Sequence, residues 1–309
     1  MTSQFSYNIY IPSLARNVSF RELDNRTYLN ILKFIQNNDD INLTTYLNDI
    51  IKSLCNEQNI IQKLNRLDKY CILLTIIMVC IGNNLEFNIV CQETEQEYKT
   101  EIVVSEIISK LADLKLSTVK VALDRKNYMT VSIPKTLYGT DSNSIEKFRL
   151  NGKTFDTTKL SEKQLNDVIE DMPYNIFNNL HDLLHNIYEE CEKIDYFTFK
   201  SPYIPDAPPV TYTFNLYDNS FYEFIKLLFK EDLLSFYKMY YALTTKFKFD
   251  MTYVQSITPA ETKMYLSFIH EDMESKKKQM DSVKTASKNI TSPVVPATPG
   301  VDMSNLDLL

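Results

Sequence analysis

Glycine is scarce in this sequence: 4 residues in 309, at positions 82, 139, 152 and 300. Loops that cradle phosphates need several neighbouring positions where only glycine fits. So few glycines, so widely spaced, exclude a Walker loop and a dinucleotide fingerprint. Histidine is scarcer still, with 3 residues, and tryptophan is absent. No serine stands in a G-x-S-x-G elbow. The 5 cysteines (Cys55, Cys71, Cys80, Cys91 and Cys191) are odd in number and form no C-x-x-C. That pattern fits a reducing compartment rather than a disulfide framework. An excess of positive charge is also missing. With a net charge of -7 and a pI near 5.2, the chain lacks the footprint of non-specific nucleic-acid binding. The start has no basic region followed by an apolar stretch, so no signal peptide is expected. The most apolar segment, residues 71–81, is too short to span a bilayer and reads as a buried helix.

What is present is an ordinary globular balance, 44% hydrophobic and 24% charged, which leaves room for a sizeable core. Asp24 is an N-cap candidate ahead of Tyr28, Leu29, Leu32 and Ile35 at helical spacing. Asn42 or Thr44 starts a second helical pattern. A third covers residues 60–81, turns apolar all round in its second half, and ends at Gly82. The character then changes. Residues 85–91 and 98–104 read as strands, residues 106–114 as a short helix, and residues 119–123 and 127–133 as a strand pair. Asn151-Gly152, between Phe148-Arg149-Leu150 and Lys153-Thr154-Phe155, is a hairpin signal. Helices resume near Ser161, with a long amphipathic one after Pro173. Prolines break residues 196–213 into a loop or short edge strands. Residues 221–243 are dense in Phe, Leu and Tyr and read as one or two buried helices. Thr258-Pro259-Ala260-Glu261 is a capping box opening a helix to about Met280. Lys276, Lys277 and Lys278 read as its solvated end.

The expected fold is therefore α+β, mostly helical, with a small antiparallel β insertion and a disordered C-terminal tail. The expected divisions are an N-terminal arm and helical unit (1–82), a β-rich insertion (83–160), a helical C-terminal unit (161–280) and a tail (281–309). The tail is rich in Ser, Thr, Pro and Ala and ends in an apolar tip, with Leu306, Leu308 and Leu309 as candidate contact residues.

Candidate chemistry is thin. His181 and His185 lie one turn apart on one helix face, a spacing that can hold zinc. They supply half a ligand set, and the expectation is ordinary surface histidines with no metal and no cofactor. Most cysteines sit in apolar or strand contexts that disfavour the thiolate. The 20 Tyr and 17 Phe are the unusual feature. Tyr237, Tyr240 and Tyr241 are candidate partner-binding residues, because tyrosine buries area while keeping a polar handle; an aromatic core is the competing reading.

Several segments together carry a resemblance. They are Ile11-Pro12-Ser13 with Val18-Ser19-Phe20-Arg21-Glu22-Leu23; Leu67-Asp68-Lys69-Tyr70 leading into the apolar helix and Gly82; Met129-Thr130-Val131-Ser132-Ile133-Pro134; Met172-Pro173; and residues 251–265. In this order and spacing, over most of residues 9–275, the chain resembles the baseplate hub family of T-even-type contractile-tailed phages, a group of hub subunits and hub assembly chaperones. The resemblance implies partners among other baseplate hub or tail proteins, no catalysis and no cofactor. It places the protein in the host cytoplasm during assembly, or in the virion tail baseplate. The tail after Asp281 lies outside the pattern and inherits nothing. The alternatives are a metal-dependent enzyme around His181 and His185, and a generic helical adaptor. Oligomeric state is not legible.

Overall fold

The computed structural model describes residues 6–288, apart from 91–94, 96, 115–117, 124, 139–144, 151, 191–193, 200–208 and 230–232. The chain divides into two units, Met1–Thr262 and Lys263–Leu309. The fold is mostly helical α+β with small antiparallel sheets, as the sequence predicts.

The chain opens with a hairpin, β1 (Ser6–Ile11) and β2 (Arg16–Arg21), paired from Ser6 with Arg21 to Ile11 with Arg16. Pro12 starts the 3-10 turn between them. Helix α1 (Asn25–Gln36) is capped by the Asp24 side chain, which accepts from Thr27 N. Helix α2 (Asp40–Leu54) starts earlier than either predicted residue, because the Asp39 carboxylate accepts from Asn42 N and caps it. The third pattern is two elements: a 3-10 segment, Gln58–Lys63, and helix α3 (Arg66–Cys80). The break falls at Leu64 and Asn65, where Asn65 forms a reciprocal capping box with Asp68. Gly82, at a φ of 143°, takes the chain out of α3 into the next strand.

Helix α3 is the axis of the unit. Leu67, Tyr70, Ile72, Leu74 and Ile77 are all fully buried, and each contributes about 1.5–3 kcal/mol of burial. Its first turn is a polar junction. Asp68 accepts from Ser13 N (3.0 Å) and Ser13 Oγ (2.6 Å), which seats the hairpin turn on the helix. Arg66 is 0% exposed. Its backbone N donates to Pro134 O, its Nε to Thr136 O (2.6 Å), and its Nη1 to the carbonyls of Leu216, Tyr217 and Asp218 at 3.0–3.1 Å. Tyr70 Oη donates to Leu137 O, and Lys69 Nζ donates to Asn48 Oδ1 and Lys135 O. Burial, reinforced by the Arg66 charge, lowers the Lys69 ammonium to about 8.

A second hairpin follows, β3 (Asn84–Val90) and β4 (Glu97–Val103), and then α4 (Val104–Ala112), which packs on α3. Four strands make an antiparallel meander: β5 (Val119–Ala122), β6 (Tyr128–Val131), β7 (Ile145–Leu150) and β8 (Lys153–Asp156). Leu150 pairs with Lys153 across the predicted turn, where Gly152 has a φ of 82°. Helix α5 (Glu162–Glu170) is capped by Ser161 and Gln164, and α6 (Tyr174–Glu190) follows Pro173. Under them Met129, Val131, Phe148 and Leu150 of the sheet meet Ile176, Leu180 and Leu184 of α6 in a separate core. The proline-broken segment forms short strands, β9 (Ile194–Phe199) and β10 (Val210–Phe214), with a bulge at Tyr212 and Thr213.

The aromatic stretch supplies α7 (Ser220–Leu228) and α8 (Leu233–Tyr241), followed by a π-helical turn, Ala242–Lys246. Helix α9 (Met251–Ser256) leads into α10 (Pro259–Lys288). Thr258 and Glu261 make the predicted capping box, with Thr258 N donating to Glu261 Oε2 and Glu261 N to Thr258 Oγ1. Helix α10 runs past Met280, the predicted helix end, to Lys288. Residues 281–288 hold neither Gly nor Pro, so nothing local stops propagation. No helix among the described residues is long and apolar enough to cross a membrane.

Candidate partner-binding surface

Helix α7 is fixed first. Phe221 packs on Tyr70 of α3 and on Phe214, both at 4.0 Å between ring centroids. Tyr222 Oη donates to Asp40 O, and Lys226 pairs with the Asp40 carboxylate at 2.8 Å. Burial pushes the Tyr222 phenol up to about 12. Helix α8 then closes on α1. Phe236 lies 5.4 Å from Tyr28 and 5.0 Å from Tyr240, ring to ring.

Phe236 and Tyr240, four apart, therefore define the buried face of α8. Tyr240 is 4% exposed, and its hydroxyl meets no hydrogen-bond partner; burial pushes its phenol up. This corrects the expectation that Tyr240 is a contact residue: its register places it in the core. Tyr237 and Tyr241 turn outward, Tyr241 at 61% exposure. Leu234, which the sequence reading passed over, is exposed on the same side. Positions 234, 237 and 241 are separated by three and four, so they line one face of the helix. That spacing was the available signal; reading the tyrosines as sequence neighbours instead of by helical register obscured it.

The other candidates are scattered. His185 is exposed on α6, while the His181 side chain lies outside the described residues. Among the described residues no group of three or more His, Cys, Asp or Glu is placed to hold a metal ion. Cys55, Cys71 and Cys80 are buried thiols, and burial pushes the Cys71 thiol up, away from the nucleophilic thiolate. Leu306, Leu308 and Leu309 lie outside the described residues, as do Cys91 and Cys191. An open depression of about 370 Å³ beside β4, α4 and β9 is lined by Glu101, Glu106, Lys110 and Asp195 among others. Lys110 Nζ donates there to Asp195 O.

What this geometry offers is contact: two tyrosines and a leucine on a ridge whose opposite face is locked into the core. Comparison with curated proteins and with solved structures gives no match. A family model described as T4 bacteriophage base plate protein matches residues 2–196, which reach from the first hairpin into β9. The chain belongs to the T4 bacteriophage base plate protein family.

Proposed function

We propose that the chain is a non-catalytic baseplate protein that works by binding other hub or tail proteins, as a hub component or as a chaperone of hub assembly. It acts in the host cytoplasm during assembly and, in the role of a component, stays in the virion. The observation that supports this is the exposed ridge of Leu234, Tyr237 and Tyr241 on a helix whose other face is anchored by Phe236 and Tyr240. A rigid aromatic ridge loses little conformational entropy on binding. It lies beyond the matched residues 2–196, so its role stands on geometry, not on the family. The apolar tip with Leu306, Leu308 and Leu309 adds a tethered second contact that raises avidity.

Affinity capture from infected cells tests the reading. The full chain is expected to recover hub or tail proteins. Replacing both tyrosines, Tyr237→Ala with Tyr241→Ala, is expected to cut recovery about tenfold or more; Leu308→Ala with Leu309→Ala has a smaller effect. Recovery of no hub or tail protein by the unaltered chain overturns the proposal. Mass spectrometry of purified virions separates component from chaperone.

A further inference from the structure

We propose that the outer part of α10 is a docking face for an amphipathic helix of another protein, one whose apolar stripe is flanked by acidic side chains. This surface is distinct from the α8 ridge. Along α10, Leu266, Ile269, Met273, Lys276 and Met280 follow one another at alternating intervals of three and four, and Val283 continues the series in sequence. That is the spacing of a seam made to meet a second helix. Every residue from 270 to 280 is exposed, with Met273 at 58% and Met280 at 61%. An exposed helix of this length is marginal in water by itself. Along it Lys276 pairs with Asp272 at 2.6 Å, and His270 Nε2 lies 3.2 Å from Glu274 Oε1.

The charges beside the seam select the occupant. One edge carries Lys263 and Lys277, with His270 between them set against Glu274 at 3.2 Å, and Lys284 continues the seven-residue spacing in sequence. The other carries Tyr265, Asp272 and Gln279, and Asp272 is already held by Lys276 at 2.6 Å. A second copy fits badly in either direction. Parallel pairing sets Lys276 against its own equivalent within the seam, and antiparallel pairing sets the basic edge against itself. A helix with acidic flanks answers the basic edge in both directions. It also lets Lys276 lay its alkyl stem across the partner's apolar side chains with the ammonium on the acidic flank. The apolar stripe supplies affinity, and the edge charges, individually weak, supply choice of partner.

The test uses the full chain and two fluorescent synthetic helical peptides of three heptads. Both carry Ile and Leu at the seam positions; one has Glu at both flanks and the other Lys. The acidic peptide is expected to bind about tenfold tighter or more by anisotropy. Met273→Glu, at an exposed position, weakens it by about the same factor, and Lys277→Glu with Lys284→Glu inverts the preference. Sedimentation velocity is expected to show a monomer at the same concentration, and Tyr237→Ala with Tyr241→Ala leaves peptide binding unchanged. Equal binding of both peptides, or binding of neither, overturns the proposal. So does a dimer abolished by Met273→Glu, which makes a second copy the occupant. Binding to phosphatidylserine vesicles without binding to the acidic peptide also overturns it, in favour of a membrane surface.

Discussion

Two cores share the first unit and are assembled differently. The packing around α3 draws on early and late parts of that unit: Tyr28 meets Phe236, Tyr70 meets Phe221, and the buried Asn25 amide donates to Val254 O and Thr262 Oγ1. The packing beneath α5 and α6 draws on residues 121–184, with Tyr217 at its rim. Polar groups specify the first core as much as shape does, since Asn25, Arg66 and Asp68 are all fully buried in it. The second is a plain apolar sandwich of one sheet face and one helix stripe. Long-range polar links are expected to make the first core open only with the whole unit, and the second, whose apolar contacts lie mostly within residues 121–184, is expected to open more locally.

The largest expected effect comes from Arg66. Removing its side chain strands the carbonyls of Thr136, Leu216, Tyr217 and Asp218 at one stroke. Arg66→Ala is expected to cost about 4 kcal/mol or more in urea denaturation, with amide exchange accelerated in both cores. A cost below about 1 kcal/mol would erase the contrast between the two cores. Next is Leu180→Ala, expected to cost about 3 kcal/mol through the cavity it leaves. Its accelerated exchange should be confined to β5–β8, α5 and α6, and spread into α1 and α3 would show the two cores to be one.

A pH titration sharpens the comparison further. Lys69 loses its proton near pH 8 in the folded chain but near 10.5 when unfolded. Between those values the unfolded state holds more protons, so stability rises with pH, and Lys69→Met should flatten that rise. Above pH 10 the sign reverses. Burial holds Tyr70, Tyr222 and Tyr240 protonated when folded, with Tyr222 near 12, and unfolding releases those protons. Urea midpoints between pH 7 and 11 should therefore pass through a maximum. The smallest effect belongs to the ridge. Tyr237→Ala with Tyr241→Ala should change stability by less than about 1 kcal/mol, because neither side chain is buried.

Elements with a chemical signature at their ends were legible in the sequence. Asp24 and the Thr258–Glu261 box cap helices as read, and the pairing of β5 with β6 follows from alternation at residues 119–123 and 127–133. Boundaries without an apolar marker were not. Asp39 sits in a polar run from Asn37 to Asp40, where no periodicity announces a cap, and Asn65 interrupts what reads as one continuous helix in its amphipathic first half. Tyr237 and Tyr241 were picked out by residue type, but telling them from Tyr240 required knowing which face of α8 meets Tyr28. Arg66 left no trace at all. Its partners are backbone carbonyls, which every sequence has, at a separation no local pattern encodes.

The clasp at Arg66 also bears on how the chain is made. A ribosome releases α3 long before it releases the carbonyls of residues 216–218, which lie some 150 residues downstream of Arg66. Until they emerge, the guanidinium keeps its bonds to water, and the first turn of α3 cannot settle into its final surroundings. The nascent N-terminal half therefore waits with apolar α3 surface uncovered, a period in which aggregation competes with folding and synthesis rate matters. Synonymous changes that slow translation between α3 and α7 should lower the yield of soluble protein without altering one residue of it.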